Sequence, residues 1–164
     1  MKKIVITSDA HGRVDLFDRV VMLESDADIF WDLGDNFCRD NPTKEFKDRW
    51  TFVQGNTDRY DAAVFINFEI YGKKIRIEHG DTLLCDYTIA TLDQYMIKND
   101  IDILCLGHTH NRYFSEEYGK YIINPGSLGR SRDKDCHENG LGSYAVLKLY
   151  EDGRVEVEFQ LIKI

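Results

Sequence analysis

Apolar positions along the chain follow two periods, and the switch between them outlines the fold. Lys2 to Ser8 is a β-branched run that predicts a strand, and Val14, Leu16, Phe17, Val20, Val21 and Leu23 then recur at helical spacing. Ile29 to Leu33 is a second apolar run, Pro42-Thr43 signals a helix start, and Trp50 to Val53 ends at Gln54-Gly55. Strand and helix in alternation predict βαβ units with parallel pairing. The pattern then changes. Ala63 to Tyr71 alternates, Gly72-Lys73 marks a turn and Ile75 to Ile77 returns, which predicts a hairpin. Thr88 to Lys98 carries Ile89, Leu92, Tyr95 and Met96 at helical spacing, and Ile101 to Leu106 is a buried-type strand. Antiparallel-type strands follow, from Tyr113 to Tyr118 and from Tyr121 to Ile123 around Gly119-Lys120. Tyr144 to Tyr150 and Val155 to Ile164 flank Glu151-Asp152-Gly153. Between these pairs, Asn124 to Gly142 is polar and Gly-rich and is expected to be one long functional loop.

Composition narrows the class. The 164 residues, with 43% hydrophobic and 30% charged, suit one mixed α/β domain spanning 1–164 with its own core, and exclude intrinsic disorder. The 21 basic and 29 acidic residues give a formal charge of −8, which argues against an extended duplex nucleic acid or an anionic membrane as partner. Small anionic substrates stay open, because bound metal reverses the local sign. No apolar run approaches the roughly 18 residues of a membrane span, and the apolar start meets Asp9 and His11 too early for a signal peptide. Cys38, Cys85, Cys105 and Cys136 are scattered with no C-x-x-C pair, so reduced thiols and a cytoplasmic location are expected.

The candidate chemistry lies where predicted strands end. Those turns read Ser8-Asp9-Ala10-His11-Gly12, Gly34-Asp35-Asn36, Gly55-Asn56-Thr57-Asp58, His79-Gly80-Asp81 and Gly107-His108-Thr109-His110. Ligand sites in open α/β sheets lie beyond the carboxyl ends of the strands, so the five turns are expected to converge. Residues two apart on an extended chain share a side, which would let Asp9 with His11, and His108 with His110, each present a pair. Alone, each turn has an ordinary explanation as a helix N-cap, a tight turn or a core histidine. Together they hold four of the five histidines, with only His137 elsewhere. Imidazoles, carboxylates and one carboxamide suit manganese, iron, zinc or nickel better than the all-oxygen shells of calcium, and manganese is the expected ion, with nickel, zinc or iron as alternatives. Seven candidate ligands exceed one tetrahedral ion and suit two ions. Cys136 with His137 is a weaker candidate for a separate metal, and Asp133, Lys134, Asp135, His137 and Glu138 form an expected solvated face.

Asp9-x-His11, Gly34-Asp35, Gly55-Asn56-x-Asp58, His79-Gly80 and Gly107-His108-Thr109-His110 resemble, in content and order, the calcineurin-like metallophosphoesterases. The chain length and Asn124-Pro125-Gly126-Ser127 are most similar to the small single-domain phosphodiesterases of the YfcE type. The resemblance implies a four-layer sandwich of two mixed β-sheets flanked by helices. It implies one divalent ion held by Asp9, His11, Asp35 and His110, and another held by Asp35, Asn56, His79 and His108. Asp35 would be shared between them, Asn56 would keep the local charge positive, and Asp58 would orient a ligand or a histidine from behind.

The expected reaction is hydrolysis of a small phosphodiester or other phosphate ester, by in-line attack of a hydroxide bridging the two ions. Two positions depart from the wider family. Thr57 stands where larger relatives have a histidine that protonates the leaving group, and a hydroxyl is a poor acid at neutral pH. Asp81 replaces the second imidazole of the familiar His-Gly-His, at the expected substrate side. Arg132 falls where relatives often have an arginine, and its guanidinium suits phosphate. The alternative is a non-catalytic protein-interaction scaffold on the same fold, as in the small retromer subunit. Asp9 as a covalent phosphate acceptor is disfavoured, because no Asp-x-Asp follows that strand. The alternating carboxy-terminal strands offer an edge for a homo-oligomer.

Overall fold

Strand β1 (Lys2–Thr7) buries both faces, Ile4 and Ile6 on one side and Val5 on the other, and its neighbours repeat that pattern. The structure is a computed structural model that describes residues 1–37, 40–83, 88 and 91–164; Cys38, Cys85 and Ile89 lie outside them. β1 pairs in parallel with β2 (Ile29–Asp32), which pairs in parallel with β3 (Trp50–Phe52). On its other side β1 pairs antiparallel with β9 (Leu141–Leu149), and β9 with β10 (Val155–Lys163). The second sheet runs β4 (Phe65–Ile70), β5 (Lys73–Glu78), β6 (Ile103–Leu106), β8 (Lys120–Pro125), β7 (Arg112–Glu117). Its inner three strands are parallel and its two edges antiparallel, so both five-stranded sheets are mixed.

Alternation along the strands builds three apolar layers. Ile4, Ile6, Trp31, Leu147, Ile75, Ile77, Ile103 and Ile123 fill the space between the sheets. Val5, Phe30, Tyr144 and Val146 face outward under α1 (Asp15–Leu23) and α2 (Lys44–Arg49), whose Leu16, Phe17, Val20 and Phe46 cover them. Leu104, Leu106 and Ile122 do the same under Leu92 and Met96 of α3 (Leu92–Lys98). The architecture is the expected four-layer sandwich of two mixed sheets flanked by helices. Among the described residues no helix is long and apolar enough to cross a membrane.

The structure moves several boundaries. Both hairpins turn one residue earlier than expected, at Tyr71-Gly72 (φ 51° and 73°) and Tyr118-Gly119 (φ 52° and 73°). Two-residue loops with both φ positive match the twist of paired strands. Helix α3 begins at Leu92 rather than Thr88, because the Thr91 hydroxyl donates to the Thr88 carbonyl and accepts its amide, satisfying the backbone locally. The polar segment 124–142 is not one loop. β8 runs to Pro125, α4 (Lys134–Asn139) occupies its middle and β9 starts at Leu141.

Candidate metal centre

Parallel strands of both sheets end on the same side, and five of those ends carry the turns. β1, β2 and β3 deliver Asp9 with His11, Asp35, and Asn56; β5 and β6 deliver His79, and His108 with His110. The backbone there is not extended. Asp9 (φ 56°), His11 (46°), Asp35 (59°), His108 (65°) and His110 (61°) all adopt the left-handed region, which costs a non-glycine residue on the order of 1–3 kcal/mol. The paired residues are therefore aimed by turn geometry and not by the pleat, and His108 and His110 go to different places. Asp9 N donates to Gly34 O and His11 N to Asp35 O, both at 2.9 Å, which fixes the first turn on the second. Glycines allow the close approach: a Cβ on Gly55 would overlap the Asp35 side chain, and one on Gly107 would overlap Ser8 Oγ.

The first cluster is Asp9, His11 and His110. His11 Nε2 and His110 Nε2 lie 3.1 Å apart, and Asp9 Oδ1 lies 3.7 Å from the former and 3.2 Å from the latter. Asp9 Oδ2 is occupied by the protein, accepting from Ser8 Oγ (2.6 Å) and His108 N (3.0 Å). Oδ1 is buried and has no hydrogen-bond partner. His110 Nδ1 donates to Arg130 O at 2.7 Å, so in the neutral ring Nε2 is a lone pair aimed into the cluster.

The second cluster is Asp35, Asn56, His79 and His108. Asn56 Oδ1 lies 3.1 Å from both His79 Nε2 and His108 Nδ1, and Asp35 Oδ2 lies 3.5 Å from His79 Nε2. His79 Nδ1 donates to Leu33 O at 2.8 Å, again leaving Nε2 facing acceptors. Asp9, Asp35 and His79 also bring ligand atoms within 4.8 Å of one another, so Asp9 belongs to both close groups.

Support comes from residues behind the turns. Asp58 is buried, and its carboxylate accepts the amides of Asp35, Asn36, Phe37 and Gly55 and the Tyr60 hydroxyl, at 2.8 to 3.2 Å. It acts on the backbone of the Asp35 loop and not on a histidine. The strap from Asn124 onward holds the far side. Asn124 Nδ2 donates to Gly107 O (2.8 Å), and Ser127 Oγ donates to Asp9 O (2.7 Å). Arg132 is exposed and its amide donates to His110 O at 3.0 Å, while Asp81 is half-buried and its charge acts on His108.

Sequence patterning missed two buried groups. Asp32 ends β2 and accepts from Thr7 Oγ1 (2.7 Å), Gly34 N (2.9 Å) and Asn36 Nδ2, and burial pushes its carboxyl up to about 7. Asn36 is fully buried beside it. The available signal was an acidic residue inside an apolar run. The weaker Cys136 candidate resolves differently: Asp133, Asp135 and Cys136 cluster, with Arg112 bonded to Asp133 (2.8 Å) and Asp135 (2.6 Å), while Lys134, Asp135, His137 and Glu138 are exposed, as expected of a solvated face.

Burial and the carboxylates together set the charge preferences of the histidines. Burial opposes charge on His79, yet Asp35 and Asp9 raise it to about 9. Burial likewise opposes charge on Asp35, but the His79 hydrogen bond and the Thr57 amide hold it at about 2. His110 is raised by Asp9 against burial. His11 and His108 are lowered, chiefly by burial and also by the neighbouring His110 and His79. Each cluster thus pairs one histidine whose charged form is favoured with one whose charged form is disfavoured. Lone pairs and carboxylate oxygens that converge, with an orphaned buried oxygen on Asp9, fit a divalent cation.

The calcineurin-like phosphoesterase superfamily domain matches residues 1–152. A Mycoplasma pneumoniae protein named "Probable metallophosphoesterase" is 31% identical over 137 residues, 78% of this chain and 80% of that protein. A predicted phosphoesterase of Streptococcus pneumoniae superposes with a TM-score of 0.76 at 21% identity, over 97% of this chain and 98% of that one. Vps29 of Entamoeba histolytica, crystallised with zinc, superposes with a TM-score of 0.69 at 24% identity, again over 97% and 98%. At those identities the likeness to the solved structures is one of fold.

Proposed function

Because the chain belongs to the calcineurin-like phosphoesterase superfamily, we propose that it is a metal-dependent phosphodiesterase acting on a small phosphodiester. The observation that carries this is the buried, unpartnered Asp9 Oδ1 facing the Nε2 atoms of His11 and His110, with Asp35 Oδ2 facing His79 Nε2 beside it. Asp9, His11, Asp35 and His110 would hold one divalent ion, and Asp35, Asn56, His79 and His108 a second, manganese first among the candidates. Such ions lower the pKa of coordinated water toward about 7 and neutralise phosphoryl charge.

The chain's own part is positioning and charge. Backbone carbonyls at Leu33 and Arg130 fix the His79 and His110 tautomers, and Asp58 holds the Asp35 loop. Two carboxylates against two divalent ions leave about +2, and the charge of one hydroxide would bring this to about +1, which suits a diester monoanion. One water is consumed: a bond forms to phosphorus, the bond to the departing alcohol breaks, and the products are a phosphomonoester and an alcohol. Thr57 offers no acid for that alcohol, which favours good leaving groups. Asp81 beside His108 disfavours a dianionic monoester, and Arg132 supplies a guanidinium at the His110 side.

Metal-stripped protein titrated with Mn²⁺ tests this on bis(p-nitrophenyl) phosphate and p-nitrophenyl phosphate. Activity should saturate at two ions per chain with the diester preferred. Monoester preference would overturn the role given to Asp81. Bound metal with no turnover would instead assign the fold to an interaction scaffold.

A further inference from the structure

Helices α1 and α2 leave a groove between them over β2 and β3, about 1050 Å³ in volume. Its floor is aromatic. Phe17, Phe30, Phe46 and Trp50 are buried rings packed on one another with centroids 4.9 to 5.7 Å apart, so the floor is already formed. Val14 and Met22 line the α1 wall and are 45% and 69% exposed, which carries the apolar surface out to solvent. None of the seven candidate ligands lines the groove, so what fills it does not depend on the chemistry of the metal centre.

The rim carries one sign. Asp18 comes from α1, Asp28 from just before β2, and Asp40, Glu45 and Asp48 from the α2 side, whereas Arg49 is the one cation among the described lining residues. Helix α2 sorts its charges, since Glu45 and Asp48 line the groove and Lys44 and Lys47 do not. Lys2 pairs with Asp28, and the other four carboxylates hold no ion pair among the described residues. A cleft with low-dielectric walls and a rim of one sign concentrates that field, here for a cation.

That complementarity selects the occupant. Nucleic acid and anionic lipid are repelled, and a second copy of a chain at −8 brings more acid than base. Along α1 the groove runs from Val14 to Met22, about 12 Å at the rise of a helix, which is room for a short peptide. We propose that this groove docks a segment of a partner protein in which lysine or arginine flanks a bulky apolar anchor. The anchor covers the aromatic floor, and cations on both sides of it reach the carboxylates of α1 and α2.

Tryptophan emission reports the groove, because Trp50 lines it and the other tryptophan, Trp31, is fully buried between the sheets. Titration uses three hexapeptides, KKLFKK, KKSSKK and EELFEE. KKLFKK should bind at least about tenfold more tightly than either of the others, and added salt should weaken it. Asp18→Asn, Glu45→Gln and Asp48→Asn should each reduce the preference over EELFEE, and the triple variant should bring it near unity with the circular dichroism spectrum unchanged. Met22→Ser should weaken KKLFKK, whereas Arg49→Gln should tighten it. Absent or equal binding of the three peptides, or a preference undiminished in the triple variant, overturns the proposal. Phenethylamine binding as tightly as KKLFKK would reassign the groove to a small amine. A dimer in sedimentation that Met22→Ser abolishes would reassign it to a second copy.

Discussion

Asp9 divides its carboxylate between two duties, and that division accounts for much of the centre. Oδ2 is tied down by Ser8 and His108 N, so the side chain cannot swing, and Oδ1 is left pointing at two imidazole nitrogens. His79 shows the same economy, one nitrogen on Leu33 O and one on the site. Its protonation makes a testable statement. The folded value of about 9 exceeds the ordinary 6.5, so without metal the His79 proton stabilises the fold fully below about pH 6.5. That contribution is lost as pH rises through about 9. Thermal melts in chelator should therefore fall across pH 6.5 to 9, and His79→Gln should flatten that decline. A wild-type profile already flat over this window would contradict the pairing with Asp35. The candidate ligands were open to inspection in the sequence, as Asp, His and Asn beside glycines. Their tautomers and the orphaned oxygen were not, because both depend on carbonyls and amides contributed from other turns.

At the scale of elements, the turns matter more than the strands they end. Asp58 satisfies four backbone amides drawn from the Asp35 loop and its own turn, and a buried amide left without a partner costs about 1–3 kcal/mol. Asp58→Ala should lower the melting temperature and weaken manganese binding together, and Asp58→Asn should recover only part of either. Dialysed metal content read beside the melt checks this; a variant that melts early but binds manganese normally would limit Asp58 to stability. Long periodic elements were readable in advance, and so was the Thr43 cap, whose hydroxyl accepts from Phe46 N. Helix α4 was not, since its six residues bury only Cys136 and present no apolar stripe. The start of α3 also escaped, because Thr91 competes for the backbone where helical spacing alone saw a turn of helix.

Across the whole molecule, the candidate ligands are drawn from both sheets. Asp9, His11, Asp35 and Asn56 follow strands of one, and His79, His108 and His110 follow strands of the other. Bound ions would therefore staple the two halves of the sandwich at one end, beyond the apolar core that fills the space between the sheets. Ligands that bind only the folded state stabilise it by about 2.7 kcal/mol at a hundredfold excess over Kd. Manganese at that excess should raise the melting temperature by roughly 5–10 °C in a chain of this size. An unchanged melt at saturating manganese would show that the clusters do not bind it in the folded protein. The edge strand β10 carries Glu156 and Glu158 outward along its length, which blunts unplanned pairing. By itself the sequence determined the succession of strands and helices and the set of candidate ligands, because strand alternation and Gly-flanked ligand types are local properties of the chain, while the layer order followed from the family resemblance. The tertiary structure decided the contacts themselves, Asp9 Oδ1 against the Nε2 atoms of His11 and His110 and Asn56 Oδ1 between His79 and His108, a division of His108 from His110 that the family resemblance implied and residue spacing did not. Those outcomes depend on left-handed turns locked by hydrogen bonds between segments distant in sequence, and no local pattern encodes a partner a hundred residues away.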